Sequence, residues 1–596
     1  MTTHPRPQMT RTNWTSLDGA WQFAYDDRDE GFRAAWQSTA DPFDRTITVP
    51  FPPESRASGI GDTGPHPYLW YRRTFTVPAD HSPDRRLLLH FGAVDYEATI
   101  WVNGTLVRRH TGGHVPFTAD ITAALVDGAE QVVVVRAEDQ PDDLSQPRGK
   151  QVWSGPPRGI LYHRTSGIWQ PVWLESVPAI AIDDLRWTSD ITAGAVGIRI
   201  QLSAPAPDGW SVGVRLAYQG TTLTGDTFSV TGDSVARTIT LPTRFGEHHN
   251  SELLWSPANP RLIDATVELH SGDPTGDRRV DVVQSYTGLR SVGVRNGRFL
   301  LNNRPYYLRM ALEQGYWPDS HLSATDEELK REVELAKALG FNALRLHQKV
   351  EDPRFLYWCD RLGMMTWGEM PSAYVFTEQA ITRFTREWTE AIQRDISHPC
   401  LVAWVPTNES WGVPDLEHDA RQRAYTRMLA DLARSLDGTR PVISNDGWEH
   451  TDSDILAMHD YADNRATLTE RWADRDTVAN TIANVTPGSR RMLVEPVRNA
   501  DAPVMLTEVG GIGYPNNPAE RWHFRSADTT EQLRDKYAEL IGAILESDTV
   551  AGFCYTQLTD TLQERNGLLD EQRNPKLPVE ELHAITTGVS RSVPPR

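Results

Sequence analysis

The sequence predicts two β-sandwiches followed by a (β/α)8 barrel, and three observations predict it. Short strands broken by Gly, Pro and Asp turns fill roughly the first 180 residues, and weaker, more polar strands of the same kind run on to Gly288. After Arg290 strand-like and helical runs alternate eight times, which is the signature of the barrel. A chain of 596 residues is also too long for one hydrophobic core and has to divide. The expected domains are 1–178, 179–289 and 290–596.

In the first domain, Leu87–Phe91, Ala98–Val102 with its Asn103-Gly104 turn, and Gln131–Arg136 read as strands, with no long amphipathic helix between them. Val212–Tyr218 and Ala265–His270 continue the pattern in the second, whose length of about 110 residues suits one immunoglobulin-like sandwich. The barrel strands are expected at Tyr306–Glu313, Asn342–Gln348, Met364–Met370, Leu401–Glu409, Pro441–Gly447, Asp454–Tyr461, Val504–Gly510 and Val550–Leu558. Between them lie the amphipathic stretches Asp326–Leu339, Arg383–Ile396, His418–Leu436 and Thr529–Glu546; Leu329, Val333, Ala336 and Leu339 fall on one helical face. An open doubly wound sheet is disfavoured because no Gly-rich phosphate turn follows the first strand.

Composition narrows the function classes. The chain carries 60 basic and 80 acidic residues, a formal charge of -20, which repels phosphate backbones and anionic bilayers, so neither nucleic acid nor membrane is expected as a partner. Three widely spaced cysteines form no zinc or redox pair, and the N-terminal residues show no apolar leader, so a cytoplasmic location is expected. Tryptophan is over-used, with 20 Trp against 17 Tyr and 16 Phe; this suits stacking on sugar faces and sandwich cores equally well.

Barrel active sites sit at the carboxyl ends of the strands. Those ends offer Arg345 and His347, then Asn408-Glu409-Ser410-Trp411, Asp446, Tyr461, Glu508 and Tyr555, with Glu313 and Trp317 after the first strand. Glu409 and Glu508 close strands four and seven, on facing sides of the mouth. Retaining glycoside hydrolysis needs two such carboxyls, one an ionised nucleophile and one a proton-bearing acid/base. Asn408 stands where its amide can bond the hydroxyl beside the reacting carbon. A single rim glutamate is as readily a structural ion pair; two at these two strand ends favour catalysis. A carbohydrate-binding protein on a dead barrel would lack one of the two carboxylates, and a transglycosylase would share both.

Several stretches resemble glycoside hydrolase family 2: Asn408-Glu409-Ser410-Trp411, Thr507-Glu508-Val509-Gly510, Ser16-Leu17-Asp18-Gly19-Ala20-Trp21-Gln22-Phe23, Arg164-Thr165-Ser166-Gly167-Ile168-Trp169-Gln170-Pro171-Val172, and Tyr555-Thr556-Gln557 through Asn566-Gly567-Leu568. The resemblance implies a jelly-roll domain, an immunoglobulin-like domain and a catalytic TIM barrel, with double displacement and no redox cofactor; no metal site is expected in this chain. It implies Glu409 as acid/base, Glu508 as nucleophile, and Arg345 and His347 as a basic pair lining the subsite. Tyr461 is implied to support the nucleophile, and Tyr555 stands where relatives place a stacking Trp. A homo-oligomer is implied as well, though no stretch of this sequence marks an interface.

The sugar is approached by departures from the family pattern. Glucuronidases of the family carry Asn-x-Lys after strand eight, whereas this chain has Asn566-Gly567-Leu568. Its large β-galactosidases place an aspartate before the Arg-x-Ser-Gly run and an acidic metal loop after strand three; here Gly159–His163 hold no acid, and the loop reads Gly368-Glu369-Met370-Pro371-Ser372. Glu369 is expected to bond Arg345 or His347 rather than a cation. The expected activity is exo-hydrolysis of a terminal neutral sugar, β-galactosyl in pyranose or furanose form, with α-L-arabinofuranosidase and β-glucuronidase as alternatives. The Lys150-Gln151-Val152-Trp153 loop is expected either to narrow the barrel mouth or to make a plain inter-domain contact. Ser489-Arg490-Arg491 is expected to be a solvated loop.

Overall fold

The computed structural model describes residues 4–128, 130–242, 252–272, 278–496, 499, 501–514 and 526–593. The first β-sandwich packs a four-stranded antiparallel sheet (Trp14–Ser16, Val172–Pro178, Arg85–Phe91, Phe117–Asp120) on a six-stranded one running from Arg45–Val49 to Thr105–Thr111. Alternate residues turn inward, so Trp21, Phe23, Leu87, Leu89, Ile100, Val133 and Val135 meet in one core. The second sandwich pairs a three-stranded sheet (Ile182–Asp190, Ala195–Ala206, Gly232–Thr240) with a four-stranded sheet ending at Arg278–Thr287. Its long strand alternates Val196, Ile198, Ile200 and Leu202 into the core with more polar residues outward.

The remaining chain is a barrel of parallel strands in the spatial order four, three, two, one, eight, seven, six: Leu401–Val405, Met365–Glu369, Ala343–Leu346, Leu308–Glu313, Gly552–Thr556, Val504–Gly510 and Leu456–His459. The fifth position departs from expectation. Pro441–Gly447 forms no strand among the described residues and closes the ring through single parallel bridges, Val442 to Trp404, Asp446 to Asn408 and Gly447 to Met458. Its Ser444, Asn445 and Asp446 side chains bond Ser453, the Ser410 N–H and His459, the kind of side-chain bonding that competes with a regular ladder. Strand four also stops at Val405, and the chain reaches Glu409 through a turn that starts at Pro406.

Outside the ring, the first helix (Asp326–Ala338) begins with a reciprocal capping box between Thr325 and Glu328 and buries Leu329, Val333 and Ala336. Much of the tryptophan serves packing. Eight Trp, among them Trp21, Trp70, Trp169 and Trp404, are fully buried side chains. No helix of the described residues is long and apolar enough to cross a membrane.

Candidate active site

Glu409 projects from a turn of two consecutive left-handed residues, Glu409 (φ 51°) and Ser410 (φ 60°). Non-glycine residues adopt this conformation only where their surroundings enforce it. Here Glu409 N–H donates to the Asp446 carbonyl at 2.9 Å and Ser410 N–H to Asn445 Oδ1 at 3.0 Å, while the Ser410 hydroxyl donates to Glu449. The fifth segment, which forms no strand, thus acts as the anvil for the fourth-strand turn.

Glu508 stands across the mouth near the end of strand seven. One carboxylate oxygen of Glu409, one of Glu508 and a ring nitrogen of His459 all lie within 4.8 Å of one another. Arg345 Nη1 donates to Glu508 Oε1 at 2.8 Å, and the Tyr461 hydroxyl donates to Glu508 Oε2 at 2.5 Å. Burial alone would raise the Glu508 carboxyl, but the His459 and Arg345 charges and the Tyr461 bond outweigh it and bring it down to about 2. These neighbours favour the ionised form of Glu508.

Arg345 is fully buried and organises the floor. Nε faces Glu369 at 2.8 Å and Asp446 at 2.9 Å, and Nη2 donates to Asn408 Oδ1 at 2.6 Å. That last bond fixes the amide of Asn408 and leaves its NH2 as the group able to meet a sugar hydroxyl. Burial raises the Glu369 carboxyl to about 7 despite the nearby Arg345 charge, and its other oxygen stands 3.1 Å from His347 Nδ1. Burial and the Arg345 charge hold His347 well below the ordinary imidazole range, so it is neutral.

His459 ends strand six and spans the two glutamates: Nδ1 lies 2.8 Å from Glu409 Oε1, and Nε2 lies 3.5 Å from Glu508 Oε1 and 3.2 Å from Asp446 Oδ1. Burial opposes its charge, but Glu508, Asp446 and Glu409 raise it to about 10. Asp446, also bonded by Thr507 at 2.5 Å, is held well below the usual carboxylate range because Arg345 and His459 outweigh its burial. The His459 ring thus ties Glu409, Asp446 and Glu508 into one group. The other cluster of ligand type, Asp360–His398–Cys400, is closed by its own bonds from Tyr286, His398 and the Cys400 amide to Asp360.

The structure therefore gathers Asn408, Glu409, Glu508, Arg345, His347 and Tyr461 at one mouth, with Asp446 behind Arg345. Trp411 flanks this group, its ring 5.4 Å from that of Tyr374, which in turn stands 4.6 Å from Trp153 of the first sandwich. Three expected contacts are corrected. Tyr555 faces away from the mouth: Cys554 takes the inward position beside Arg345, and strand alternation turns Tyr555 out against Tyr537 of the surrounding helix, ring centroids 5.0 Å apart. Trp317 is sequestered in the core beneath Arg573, whose guanidinium stacks 3.5 Å from its ring centroid. Glu313 is closed in beneath Gly315, whose N–H it accepts at 2.5 Å, and burial beside Glu351 raises its carboxyl.

Of the side chains gathered here, His459 is the least marked in the sequence, since only its place at a strand end distinguishes it from a core histidine. The sandwich loop 144–153 does reach the barrel: Arg148 and Gly149 N–H both donate to the Ser372 carbonyl, and Lys150 Nζ meets Glu564 Oε2 at 2.8 Å. Arg490 is not purely solvated, for it donates to Glu449 at 2.9 Å, the carboxylate that holds Ser410.

Comparison with known proteins agrees with this architecture. Residues 14–178 match the sugar binding domain of glycosyl hydrolases family 2, and residues 292–509 match the TIM barrel domain of the same family. A β-glucuronidase of Paenibacillus borealis is 28% identical over 481 residues, covering 74% of each chain. That of Rattus norvegicus is 26% identical over 469 residues, 72% of this chain and 67% of the rat protein. A solved Bifidobacterium dentium β-glucuronidase complexed with coumarin-3-O-glucuronide superposes with a TM-score of 0.78 at 21% identity, over 98% of both chains.

Proposed function

The chain belongs to glycosyl hydrolase family 2 and is a glycosidase, and from that premise we propose that it is exo-acting and retaining, with Glu508 as nucleophile and Glu409 as acid/base. The observation that carries the reading is the pair itself: two carboxylates within 4.8 Å through their nearest oxygens, one of them favoured in its ionised form. Double displacement needs the two carboxyls about 5–5.5 Å apart, and inversion needs a gap wide enough for water between them.

In the first step a Glu508 oxygen attacks the anomeric carbon while the Glu409 carboxyl gives its proton to the departing glycosidic oxygen, leaving a glycosyl ester on Glu508. In the second, Glu409 takes a proton from water as that water's oxygen displaces the ester, and Glu508 returns as the anion. Arg345 and Tyr461 hold the two Glu508 oxygens in place, and the Asn408 amide bonds the neighbouring sugar hydroxyl, a contact that tightens as the ring flattens. The sandwich loop 144–153 packs on Ser372 and Glu564 in the barrel loops after strands three and eight, which supports an exo-acting pocket.

For the sugar itself, the named relatives are β-glucuronidases, which supports a β-D-glucuronide. One observation favours a neutral sugar such as β-galactosyl: position 568 is Leu568, buried in the barrel core, where the family's glucuronidases carry a lysine. The test is release of nitrophenol from β-glucuronide, β-galactopyranoside, β-galactofuranoside and α-L-arabinofuranoside by the protein and by Glu508→Gln. Turnover of one sugar by the wild type, with a loss of about 10⁴-fold or more in the variant, is expected. Equal turnover by the variant would remove Glu508 from the mechanism.

A further inference from the structure

We propose that the buried ion pair Lys150–Glu564, which joins the first sandwich to the barrel, sets the charge of the accepted sugar, admitting a neutral hydroxyl-bearing sugar and rejecting a uronate. The proposal rests on the retaining-glycosidase reading above.

The pair lies where the first sandwich meets the loops after strands two and eight of the barrel. Lys150 follows Gly149, where a Cβ would stand 2.6 Å from the Gln348 carbonyl, in the loop after strand two. The Tyr374 hydroxyl pins Gly149 from the strand-three side at 2.5 Å. The Lys150 charge reaches His347, where it helps keep the imidazole neutral. Glu564 comes from the opposite side, in the loop after strand eight, and its carbonyl accepts from the Gln557 side chain. The side chains of Lys150 and Glu564 are only 3% and 7% exposed.

Removing an ammonium and a carboxylate from water for one bond between them is poor stabilisation. The arrangement gains its use when a sugar arrives. Lys150 spends one of its three donors on Glu564, and Glu564 retains acceptor capacity, so a hydroxyl can accept from the one and donate to the other. Asn566, two residues on and 3% exposed, adds an amide oxygen with no partner among the described residues; its amide and the Tyr461 ring both lie against Gly511. A hydroxyl can meet that amide through either its oxygen or its NH2.

A uronate meets the reverse. The attraction of Lys150 is offset by repulsion from Glu564 beside it, and the cost of desolvating the substrate carboxylate stays uncompensated. Neighbouring cations are already matched: Arg565 to Glu571 at 2.9 Å and Lys576 to Asp560 at 2.7 Å. Buried polar groups built for hydroxyls reject the wrong substituent by large factors, because they are then left unpaired.

The experiment is kcat/KM on 4-nitrophenyl β-D-glucuronide and on the neutral glycosides, for the wild type, Glu564→Gln, Lys150→Met and the double variant. The wild type is expected to favour a neutral sugar by about tenfold or more. Glu564→Gln frees the Lys150 cation and should move the ratio toward glucuronide by about tenfold or more, whereas Lys150→Met should move it the other way. The double variant buries no charge and serves where a single variant misfolds; it should lose efficiency on the neutral sugar. A wild type that prefers glucuronide, or a ratio that moves in neither single variant nor efficiency in the double, overturns the proposal. Absence of any Glu508-dependent turnover would instead remove the glycosidase reading and the role of the pair with it.

Discussion

Arg11 and Arg345 are both buried among carboxylates, and of these two only Arg345 faces the candidate site. Arg11 joins the N-terminal segment to both sandwiches: its guanidinium meets Glu175 at 2.6 Å, Asp281 at 2.9 and 3.0 Å, and the Ile182 carbonyl. Arg345 meets Glu369, Asp446, Glu508 and Asn408 over the same range of distances. Both are driven further above their ordinary range, because their carboxylates outweigh the burial. What separates them is where the carboxylates lead. Glu175 and Asp281 end in protein, while Glu508 opens to the mouth beside Tyr461, which is 37% exposed. A cluster of buried ions is therefore a poor marker of function by itself; a cluster in which one member keeps a face toward solvent is a better one.

The sharpest way to break this comparison is the same change in both places. Arg345→Lys keeps the charge but replaces a planar fork serving Glu369, Glu508 and Asn408 with a point donor. Displacement of the proposed nucleophile Glu508 and of the Asn408 amide should cost about 10²-fold or more in kcat. Arg11→Lys should leave kcat of the folded protein where it is and lower stability by roughly 1.5–3 kcal/mol, the worth of a lost charge-assisted bond. Steady-state kinetics beside urea unfolding reads both; equal kinetic losses in the two variants would erase the distinction.

Much of this was legible in sequence because its carriers are local. Two-residue alternation marks the sandwich strands, helical periodicity marks Asp326–Ala338, and strand ends in a barrel must face one rim. The misses share one physical cause. Tyr555 was assigned to the rim by its place along the strand, yet its direction depends on which face of the strand is inward, and Cys554 holds that face. Trp317 looked like a sugar platform because nothing in the sequence shows Arg573 arriving from 256 residues away. The fifth strand was expected from Pro441–Gly447, but its polar residues serve the Glu409 turn instead. Long-range pairing also hid Lys150–Glu564, whose partners lie in different domains.

His459 offers a smaller effect with a direction. As an imidazolium it lowers Glu508 and bonds Glu409, so His459→Gln should cut kcat by about tenfold to a hundredfold through the pair it positions. Removing the cation lets the Glu508 carboxyl rise from about 2, so the acid limb of kcat/KM should move to higher pH. Stability adds a second readout. The histidine is raised from 6.5 to about 10 in the fold, so its contribution is complete below 6.5 and is lost as pH rises through 10. Wild type and variant should accordingly differ most in stability near neutral pH or below and converge toward pH 10. A purely structural histidine would leave the acid limb unmoved.

The smallest test compares the outer arginines of the two clusters. Arg490, 37% exposed, meets buried Glu449 at 2.9 Å, and Arg6, 32% exposed, meets buried Glu175 at 3.5 Å. Neither pair should be worth more than about 1 kcal/mol, because water screens the exposed partner. Their consequences still differ, since Glu449 accepts the Ser410 hydroxyl that helps hold Glu409 in its left-handed turn, whereas Glu175 supports only the sandwich junction. Arg490→Ala should therefore lower kcat by up to about fivefold with little change in KM, and Arg6→Ala should not alter kcat at all. If Arg490→Ala were as silent as Arg6→Ala, the strained turn would be held by Asp446 and Asn445 alone, and the catalytic network would end at Ser410.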